Sequence, residues 1–382
     1  MKTIYFDYNA TTPLDSGVRE AMLPFLGEIW GNPSSVHHVG RKARACLDAF
    51  RERTAAVLGA KPSEIIFTSG GTESVNLAIL GTARLLKNKG RHLITSAVEH
   101  HAVLHACEYL AKYEGFSLTV LPVDESGRVA VASLEKALRP DTILVSIQAA
   151  NNEIGTLQPV FELGNFCRNK GIVFHTDAVQ WFGKQPFSNI YQFNADLVSI
   201  CCHKFHGPKG AGALFVRSPL HPEPVLFGGS HENERRAGTE NLAGIAGFSD
   251  SLEKFVRCPV FDSNFLLPLT RKLQTAVECI PGVQVVGATE DKLSNTLSFL
   301  VEGSDSISLL AALDLEGICA SSGSACSAGS LFPSHVISAL GVKPSLANSL
   351  IRFSLGRATT AEEVEQVCLI LPELICRAKV SE

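Results

Sequence analysis

The chain has 382 residues, of which 45% are hydrophobic and 19% charged, so it is too apolar for a disordered protein and long enough to bury a core. Its 34 basic and 38 acidic residues give a net charge of −4, which argues against a general nucleic-acid-binding protein. The N-terminal residues do not form an export signal, and no stretch approaches the ~18–20 apolar residues of a membrane span. These features predict a cytoplasmic protein that binds neither nucleic acid nor membrane.

Strand and helix patterns alternate along the first two thirds of the chain. The predicted strands are 64–68, 92–95, 117–121, 142–147, 172–175, 196–200 and 211–216. The predicted helices are 72–87, 101–114, 160–170 and 239–257. This alternation predicts an α/β fold with a mostly parallel sheet that is covered by helices on both faces.

After Cys258 the pattern of elements changes. The predicted helices in this part are 264–279, 306–313, 333–340 and 361–377, and the predicted strands are 283–286, 295–300 and 351–355. We interpret this part as a smaller α/β domain over 259–382, which follows a large domain over 1–258. The N-terminal segment of the large domain is free to pack on the small domain.

In parallel sheets ligands bind outside the carboxyl ends of the strands, so the residues after each strand are candidate site residues. The segment 69–73, SGGTE, follows the first of these strands, and its bare N–H groups at a helix start suit a phosphate. The same segment also suits a plain capping turn. Asn151 and Asn152 follow a later strand, where their amides either hold a ligand or form an Asx turn.

Asp177 and Lys204 also follow predicted strands. The carboxylate of Asp177 would keep the nitrogen of a pyridine ring protonated if the ligand contains one. The alternative is that Asp177 caps the segment that follows it. Lys204 lies between His203 and His206, ahead of a loop rich in Gly and Pro. Desolvation or nearby cations there would lower the pKa of a lysine and favour a Schiff base, whereas Lys209 is typical of a solvated loop lysine.

The eleven cysteines include no C-x-x-C pair, which indicates free thiols that mostly fill the core. Cys326 differs because small residues surround it in SSGSACSAGS, and this pattern favours a mobile loop with a reactive thiol. Arg352 lies in an apolar strand and needs an anion, such as a bidentate carboxylate, because an unpaired buried charge is costly. Together these residues predict one site for pyridoxal phosphate (PLP), an amino-acid substrate and a nucleophilic thiol.

These residues lie in sequence blocks that resemble the cysteine desulfurases of the NifS/IscS type, in the class V aminotransferase group of fold-type I PLP enzymes. The blocks run in order along nearly the whole chain: YFDYNATTP, GNPSSVH, FTSGGTES, VEHHAV, NNEIG, HTDAVQ, HKFHGPKGAGAL, RRAGTEN, SSGSAC and IRFSLGR. The resemblance implies the fold of that group, with a large, mostly parallel sheet of the seven-stranded type and a smaller C-terminal domain. SSGSAC with IRFSLGR points to the subgroup with the longer cysteine loop.

The resemblance implies three catalytic residues. Lys204 carries PLP as a Schiff base and moves the Cα proton, and His100 stacks on the ring and relays protons. Cys326 attacks the sulfur of bound L-cysteine, which gives L-alanine and a Cys326 persulfide. The persulfide is passed to an acceptor protein such as an iron–sulfur scaffold. That Cys326 also helps to hold a transient iron–sulfur cluster through its persulfide is a hypothesis.

The resemblance also implies which residues bind. Asp177 pairs with the pyridine nitrogen of PLP, and Gln180 contacts its phenolic oxygen. Asn152 lies against the cofactor and binds the substrate carboxylate together with Arg352. The residues that hold the phosphate are Gly71, Thr72, Cys201, His203 and, from the other subunit of a homodimer, Thr239.

Three positions depart from the usual pattern of the group. Cys201 stands where a serine hydroxyl usually helps to bind the phosphate, and a thiol is a weaker donor. Gly71 stands where alanine is common. The sequence ends at Glu382, without the longer docking tail of many relatives that supply an iron–sulfur scaffold, so the acceptor stays open.

Other functions share parts of this pattern. A selenocysteine lyase of the same fold stays an alternative, and so does another PLP-dependent lyase or an aminotransferase, although an aminotransferase would not need Cys326. A catalytically inactive binding partner would lack Lys204, Asp177 or Cys326, and all three are present. A dinucleotide-binding dehydrogenase is disfavoured because no G-x-G-x-x-G follows the first strand.

Overall fold

A seven-stranded sheet forms the centre of the fold. The structure is a computed structural model that describes residues 3–323 and 333–379. Its strands are β1 (Ile4–Tyr5), β2 (Ile65–Thr68), β3 (His92–Ser96), β4 (Ser117–Leu121), β5 (Thr142–Ser146), β6 (Val173–Asp177), β7 (Leu197–Cys201), β8 (Gly212–Val216), β9 (Val283–Val286), β10 (Thr296–Val301), β11 (Ile318–Cys319) and β12 (Ile351–Ser354). The central sheet has the order β2-β8-β7-β6-β5-β3-β4, in which β3 to β7 are parallel and β8 is antiparallel to both neighbours.

Helices alternate with these strands. They are α1 (Ser16–Met22), α2 (His38–Leu58), α3 (Gly71–Asn76), α4 (Thr82–Leu86), α5 (His101–Tyr113), α6 (Val131–Ala137), α7 (Val160–Asn169), α8 (His231–Glu234), α9 (Leu242–Phe255), α10 (Ser263–Glu278), α11 (Ser306–Leu315), α12 (His335–Ala339), α13 (Pro344–Ala347) and α14 (Ala361–Ala378). A π-helical stretch over Leu77–Gly81 joins α3 to α4 into one helical run, where the sequence predicted a single helix over 72–87. Within residues 3–323 and 333–379 no helix is long and apolar enough to cross a bilayer.

The central sheet is buried on both faces, as the alternating pattern predicted. In β7, Val198 and Ile200 point into the hydrophobic cluster that also contains residues of α2, α7 and α9. Leu197, which points to the opposite face, belongs to the cluster formed with α5. Because successive side chains of a strand point to opposite faces, every residue of such a strand is apolar or hydrogen-bonded. The predicted α/β fold class is confirmed.

Some helices differ from the prediction. No helix was predicted before residue 72, whereas α2 spans 21 residues, buries Leu47, Phe50 and Leu58, and is capped by Gly59 with a φ of 68°. The helix predicted over 239–257 begins instead at Leu242, because the Asn241 side chain accepts a hydrogen bond from the N–H of Gly244 at 3.0 Å.

The N-terminal segment packs against the C-terminal strands. Strand β1 pairs in parallel with β11, and a bridge joins Asp7 to Ser354 at the end of β12. Phe6 packs edge-on against Phe353 with 5.7 Å between ring centroids, in the cluster that also contains residues of α10 and α14. Strands β9, β10 and β12 form a separate antiparallel sheet. The boundary between residues 258 and 259 stays a prediction.

Candidate active site

One cavity of about 250 Å³ lies at the carboxyl ends of β6 and β7. The residues that line it are Asn9, Ala10, Gly71, Thr72, Val75, His100, Ala102, Gln148, Ala150, Asn152, Asp177, Val179, Gln180, Cys201, His203, Lys204 and Arg352. All residues predicted for the site are among them except Thr239 and Cys326. Asp177 and Cys201 are the last residues of their strands rather than the residues after them.

The start of α3 forms one end of the cavity. Gly70 has a φ of 153°, a conformation that favours glycine, and helical residues begin at Gly71. A Cβ atom added to Gly71 would lie 2.9 Å from Cγ2 of Val179 and 3.5 Å from Cβ of Cys201. Gly71 therefore has no side chain to cover the first N–H groups of the helical run, which face the cavity. Such exposed N–H groups suit an anion such as a phosphate.

Cys201 lies beside this helix start. It is buried, and its Sγ lies 3.7 Å from the carbonyl oxygen of Ala211. Burial raises the pKa of the Cys201 thiol, with a smaller opposing effect from the N–H of Gly71. The group is therefore a neutral thiol that offers a weak donor to an anion.

Asp177 is held in a dry part of the cavity. The N–H of Val179 donates to its Oδ1 at 3.0 Å. Burial raises the pKa of Asp177 to about 6, and the Val179 N–H and Lys204 oppose that rise. A cationic ring nitrogen placed beside this carboxylate would favour its ionised form, so Asp177 fits a protonated pyridine nitrogen.

Lys204 is the lysine that lines the cavity. Its Nζ donates to the carbonyl oxygens of Asn9 at 2.9 Å and Ala10 at 2.8 Å. Burial lowers the pKa of Lys204, with a further lowering by Arg352 and opposing effects from Cys201 and Asp177. A lysine of lowered pKa is a stronger nucleophile at neutral pH, because more of it is an unprotonated amine.

Two histidines in the cavity are neutral. Burial, with a smaller contribution from Lys204, lowers the pKa of His100 to about 4 and that of His203 to about 3. His100 caps α5, because its Nδ1 accepts from the N–H of Ala102 at 3.1 Å, which leaves the ring proton on Nε2. Nδ1 of His203 lies 3.1 Å from Oγ1 of Thr11.

Arg352 already has an anionic partner within the chain, which the sequence analysis did not identify. Its Nη2 lies 2.5 Å from Oδ1 of Asp7, and Nη1 donates to the carbonyl oxygens of Asn152 at 3.0 Å and Gly323 at 2.6 Å. The side chain is 1% exposed, and its Nε has no partner among the described residues. The burial of Arg352 therefore does not by itself require a substrate carboxylate, although the residue lines the cavity.

The two asparagines after β5 have different environments. Asn151 forms the Asx-type turn, since its Oδ1 accepts from the N–H groups of Glu153 at 2.8 Å and Ile154 at 2.9 Å. Asn152 lines the cavity, and its carbonyl oxygen accepts from Nδ2 of Asn9 at 3.1 Å. The turn formed by Asn151 thus places Asn152 in the site.

Three polar residues at or beside this site were not predicted from the sequence. Asn9 contacts both Lys204 and Gln180, Asp7 pairs with Arg352, and Lys184 is buried behind Gln180. A lysine in the apolar segment AVQWFGKQPF was a usable signal, because lysine is almost never buried without a partner.

Two predicted residues are not in the cavity. Thr239 is exposed and lines a separate pocket with Ser69 and Arg236. It is therefore not part of the main cavity of its own chain. Cys326 lies outside the described residues. Among residues 3–323 and 333–379 no cluster of His, Cys, Asp and Glu could hold a metal ion, and the transient cluster on Cys326 stays a hypothesis.

The chain is similar to known proteins in both sequence and structure. The sequence profile of the family "Aminotransferase class-V" matches residues 4–367. A cysteine desulfurase IscS of Dictyoglomus turgidum is 48% identical over 375 residues, which are 98% of this chain and 95% of the relative. A cysteine desulfurase IscS of Methanosarcina thermophila is 45% identical and covers 98% of this chain and 92% of its own length.

Solved structures of similar proteins superpose on nearly the whole chain. A NifS-like protein superposes with a TM-score of 0.91 at 37% identity, over 98% of this chain and all of the other. The protein SspA, solved in complex with cysteine, superposes with a TM-score of 0.82 at 36% identity, over 94% of this chain and all of the other.

The raised pKa of Asp177 predicts a pH dependence for the protein without cofactor. Between the ordinary value of 3.8 and about 6 the folded state binds more protons than the unfolded state, so stability falls as the pH rises. Asp177→Asn should therefore raise the free energy of unfolding at pH 7 by up to about 3 kcal/mol, and this gain should vanish near pH 4. Urea unfolding across this range measures it.

Asp314→Asn, which changes an exposed carboxylate, is the control and should follow the curve of the unmodified protein. A gain for Asp177→Asn that is the same at pH 4 and pH 7 would contradict the burial of an ionisable carboxyl at this position.

Proposed function

The chain belongs to the aminotransferase class-V family, and from this membership we propose that it acts as a cysteine desulfurase with PLP as its cofactor. In this reaction the sulfur of L-cysteine is transferred to Cys326 and L-alanine is released. The observation that carries the proposal is that Lys204 and Asp177 line one cavity together with the bare helix start at Gly71. These groups match the aldehyde, ring nitrogen and phosphate of one PLP molecule.

The cavity suits PLP at each of its polar groups. Gly71, Thr72 and His203 would hold the phosphate, Asp177 the ring nitrogen, and Gln180 the phenolic oxygen. When bound, PLP supplies a ring that accepts the negative charge developed at Cα of an amino acid. The carboxylate of Asp177 would hold a proton on the ring nitrogen, and this charge pair would lower the raised pKa of the acid.

Lys204 is proposed to take the proton from Cα and return it to the product. Its lowered pKa supports this role, because a base must be unprotonated at the working pH. The carbonyl oxygens of Asn9 and Ala10 orient its Nζ while it is free. His100, neutral and with its proton on Nε2, is proposed to lie against the ring and to relay protons.

Arg352 and Asn152 are proposed to bind the substrate carboxylate. Both residues line the cavity, which supports this role. Asp7 holds Nη2 of the same guanidinium at 2.5 Å, so the arginine is oriented before substrate binds. A pre-oriented guanidinium loses less conformational entropy on binding than a free one.

Cys326 is proposed as the nucleophile. Its thiolate attacks the sulfur of L-cysteine, an S–S bond forms, and the bond between that sulfur and Cβ breaks. The electron pair of the broken bond passes to the carbon fragment, which takes up protons and leaves as L-alanine. Cys326 retains the sulfur as a persulfide, and an acceptor protein such as an iron–sulfur scaffold is proposed to take it.

The enzyme is proposed to work as a homodimer in the cytoplasm. Thr239 is exposed and outside the main cavity, which supports its supply to the phosphate site of a second subunit. Ten cysteines in the described residues are unpaired, and this supports a reducing compartment, where thiols persist.

The decisive experiment combines absorption spectra with product analysis. The purified protein with PLP should have a visible absorption band that changes when L-cysteine is added, and it should release L-alanine and, with a reductant, sulfide. Cys326→Ala should keep the band and lose sulfide release, because the nucleophile is absent. Cys258→Ala, at an exposed cysteine, is the matched control and should behave like the unmodified protein.

Product release that does not depend on Cys326 would favour another PLP-dependent lyase or an aminotransferase. A rate with L-selenocysteine far above that with L-cysteine, and independent of Cys326, would favour a selenocysteine lyase. The absence of any band after addition of PLP would overturn the proposed cofactor.

Cys201→Ser should tighten PLP binding. A hydroxyl donates a stronger hydrogen bond to a phosphate than a neutral thiol does, so the dissociation constant should fall roughly threefold to tenfold. Titration of the protein without cofactor measures this. Cys202→Ser is the control, because that thiol points to the carbonyl oxygens of Pro208 and Ala211. Equal or weaker binding by Cys201→Ser would contradict the placement of the phosphate.

The proposed dimer predicts the molar mass in solution. Light scattering at micromolar concentration should give twice the mass of one chain. A mass of one chain would overturn the dimer and with it the role of Thr239 across the interface.

A further inference from the structure

Lys184 is a buried lysine that does not line the active-site cavity. Its side chain is 3% exposed, and its Nζ lies 5.0 Å from the ring centroid of Phe261. Nζ forms none of the ion pairs found among the described residues. Nζ instead donates to Oδ1 of Asn9 at 2.6 Å and to Oε1 of Gln180. Burying an amine costs free energy unless the group is hydrogen-bonded. The contacts with Asn9 and Gln180 offset this cost.

The contacts of Gln180 determine which way its amide points. Its Nε2 donates to the carbonyl oxygen of Asn9 at 3.0 Å, and its Oε1 accepts from Lys184. A carbonyl oxygen only accepts. Nζ of Lys184 carries at least two N–H groups whether it is charged or neutral, enough for both of its contacts. A flipped amide would set its carbonyl oxygen against that of Asn9 and would lose the contact in which Lys184 donates, so the two contacts together favour the observed orientation.

Asn9 is oriented by the same lysine. Its Oδ1 accepts from Lys184 and from Nδ2 of Asn295 at 3.2 Å, while its Nδ2 donates to Oγ1 of Thr296 at 2.9 Å. The carbonyl oxygen of Asn9 in turn accepts from Nζ of Lys204 at 2.9 Å. Lys184 therefore contacts the two residues, Asn9 and Gln180, that lie between it and the cavity.

We propose that Lys184 is a positioning residue that fixes the amide of Gln180 so that an N–H, and not the carbonyl oxygen, faces an anionic oxygen of the ligand. The inference rests on the proposed function, in which that oxygen is the phenolic oxygen of PLP. Nε2 carries two N–H groups, and Asn9 takes one of them. The other is available to the ligand, because Gln180 lines the cavity.

Loss of Lys184 would remove the hydrogen bond that its Nζ donates to Oε1 of Gln180. The amide could then turn its carbonyl oxygen toward the anionic ligand oxygen, and the two would repel each other. A proton on the bound cofactor that neutralises this oxygen would be held more tightly. The apparent pKa of the visible absorption band should therefore rise.

The test is a pH titration of the visible band in Lys184→Met loaded with PLP. Its apparent pKa should rise by about one unit, the effect expected when a hydrogen bond to a charged oxygen is lost. PLP should also bind roughly tenfold more weakly to the protein without cofactor. Lys89→Met, at an exposed lysine, is the matched control and should titrate like the unmodified protein.

Gln180→Met provides the second arm, and it serves alone if Lys184→Met does not fold. It should raise the apparent pKa by the same amount, and the double variant should show no further rise, because both act through one amide. An unchanged titration in either single variant would overturn the inference, as would additive effects in the double variant. A failure of the proposed function is distinguishable, because the unmodified protein would then lack the visible band.

Discussion

Desolvation at the carboxyl ends of β6 and β7 is the constraint on which the chemistry of this protein depends. Burial is the largest cause of the shifted pKa values in the cavity. It lowers the pKa of the two histidines and of Lys204, and it raises the pKa of Asp177. A parallel sheet with both faces covered creates this environment, because its strand ends are dry except where a crevice opens. The fold therefore prepares a base and an acid before any ligand is bound.

The N-terminal segment connects this crevice to the C-terminal strands. Asn9 holds Lys204 and Gln180 on one side, and its N–H donates to Oγ of Ser354 at 2.9 Å on the other. Asp7, two residues earlier, neutralises Arg352 in β12. A segment of a few residues thus fixes the relative position of the base and of the proposed carboxylate-binding arginine. Errors of about 1 Å in such a distance have large effects on rate.

Two buried basic side chains at or behind the cavity, Arg352 and Lys184, are stabilised in different ways. Arg352 has a carboxylate partner, whereas Lys184 has only neutral acceptors among the described residues. Breaking either set of contacts would leave a desolvated group unsatisfied, which costs more than the contact contributes. Buried basic side chains such as these hold their neighbours in one orientation. For Gln180, this orientation would present an amide N–H to the ligand.

The sequence by itself determined the α/β class, most element positions and, in the crevice, the helix start at Gly71 together with Asp177 and Lys204. These follow from local patterns, because periodicity marks strands and the residues that end parallel strands meet at one edge. Only the tertiary structure decided that Asp7 pairs with Arg352, that Lys184 orients Gln180, and where Asn9 makes its contacts. The first of these pairs joins residues 345 positions apart, and no local pattern encodes such a contact. Burial decides the pKa values for the same reason, since it depends on the packing of elements that are distant in the sequence.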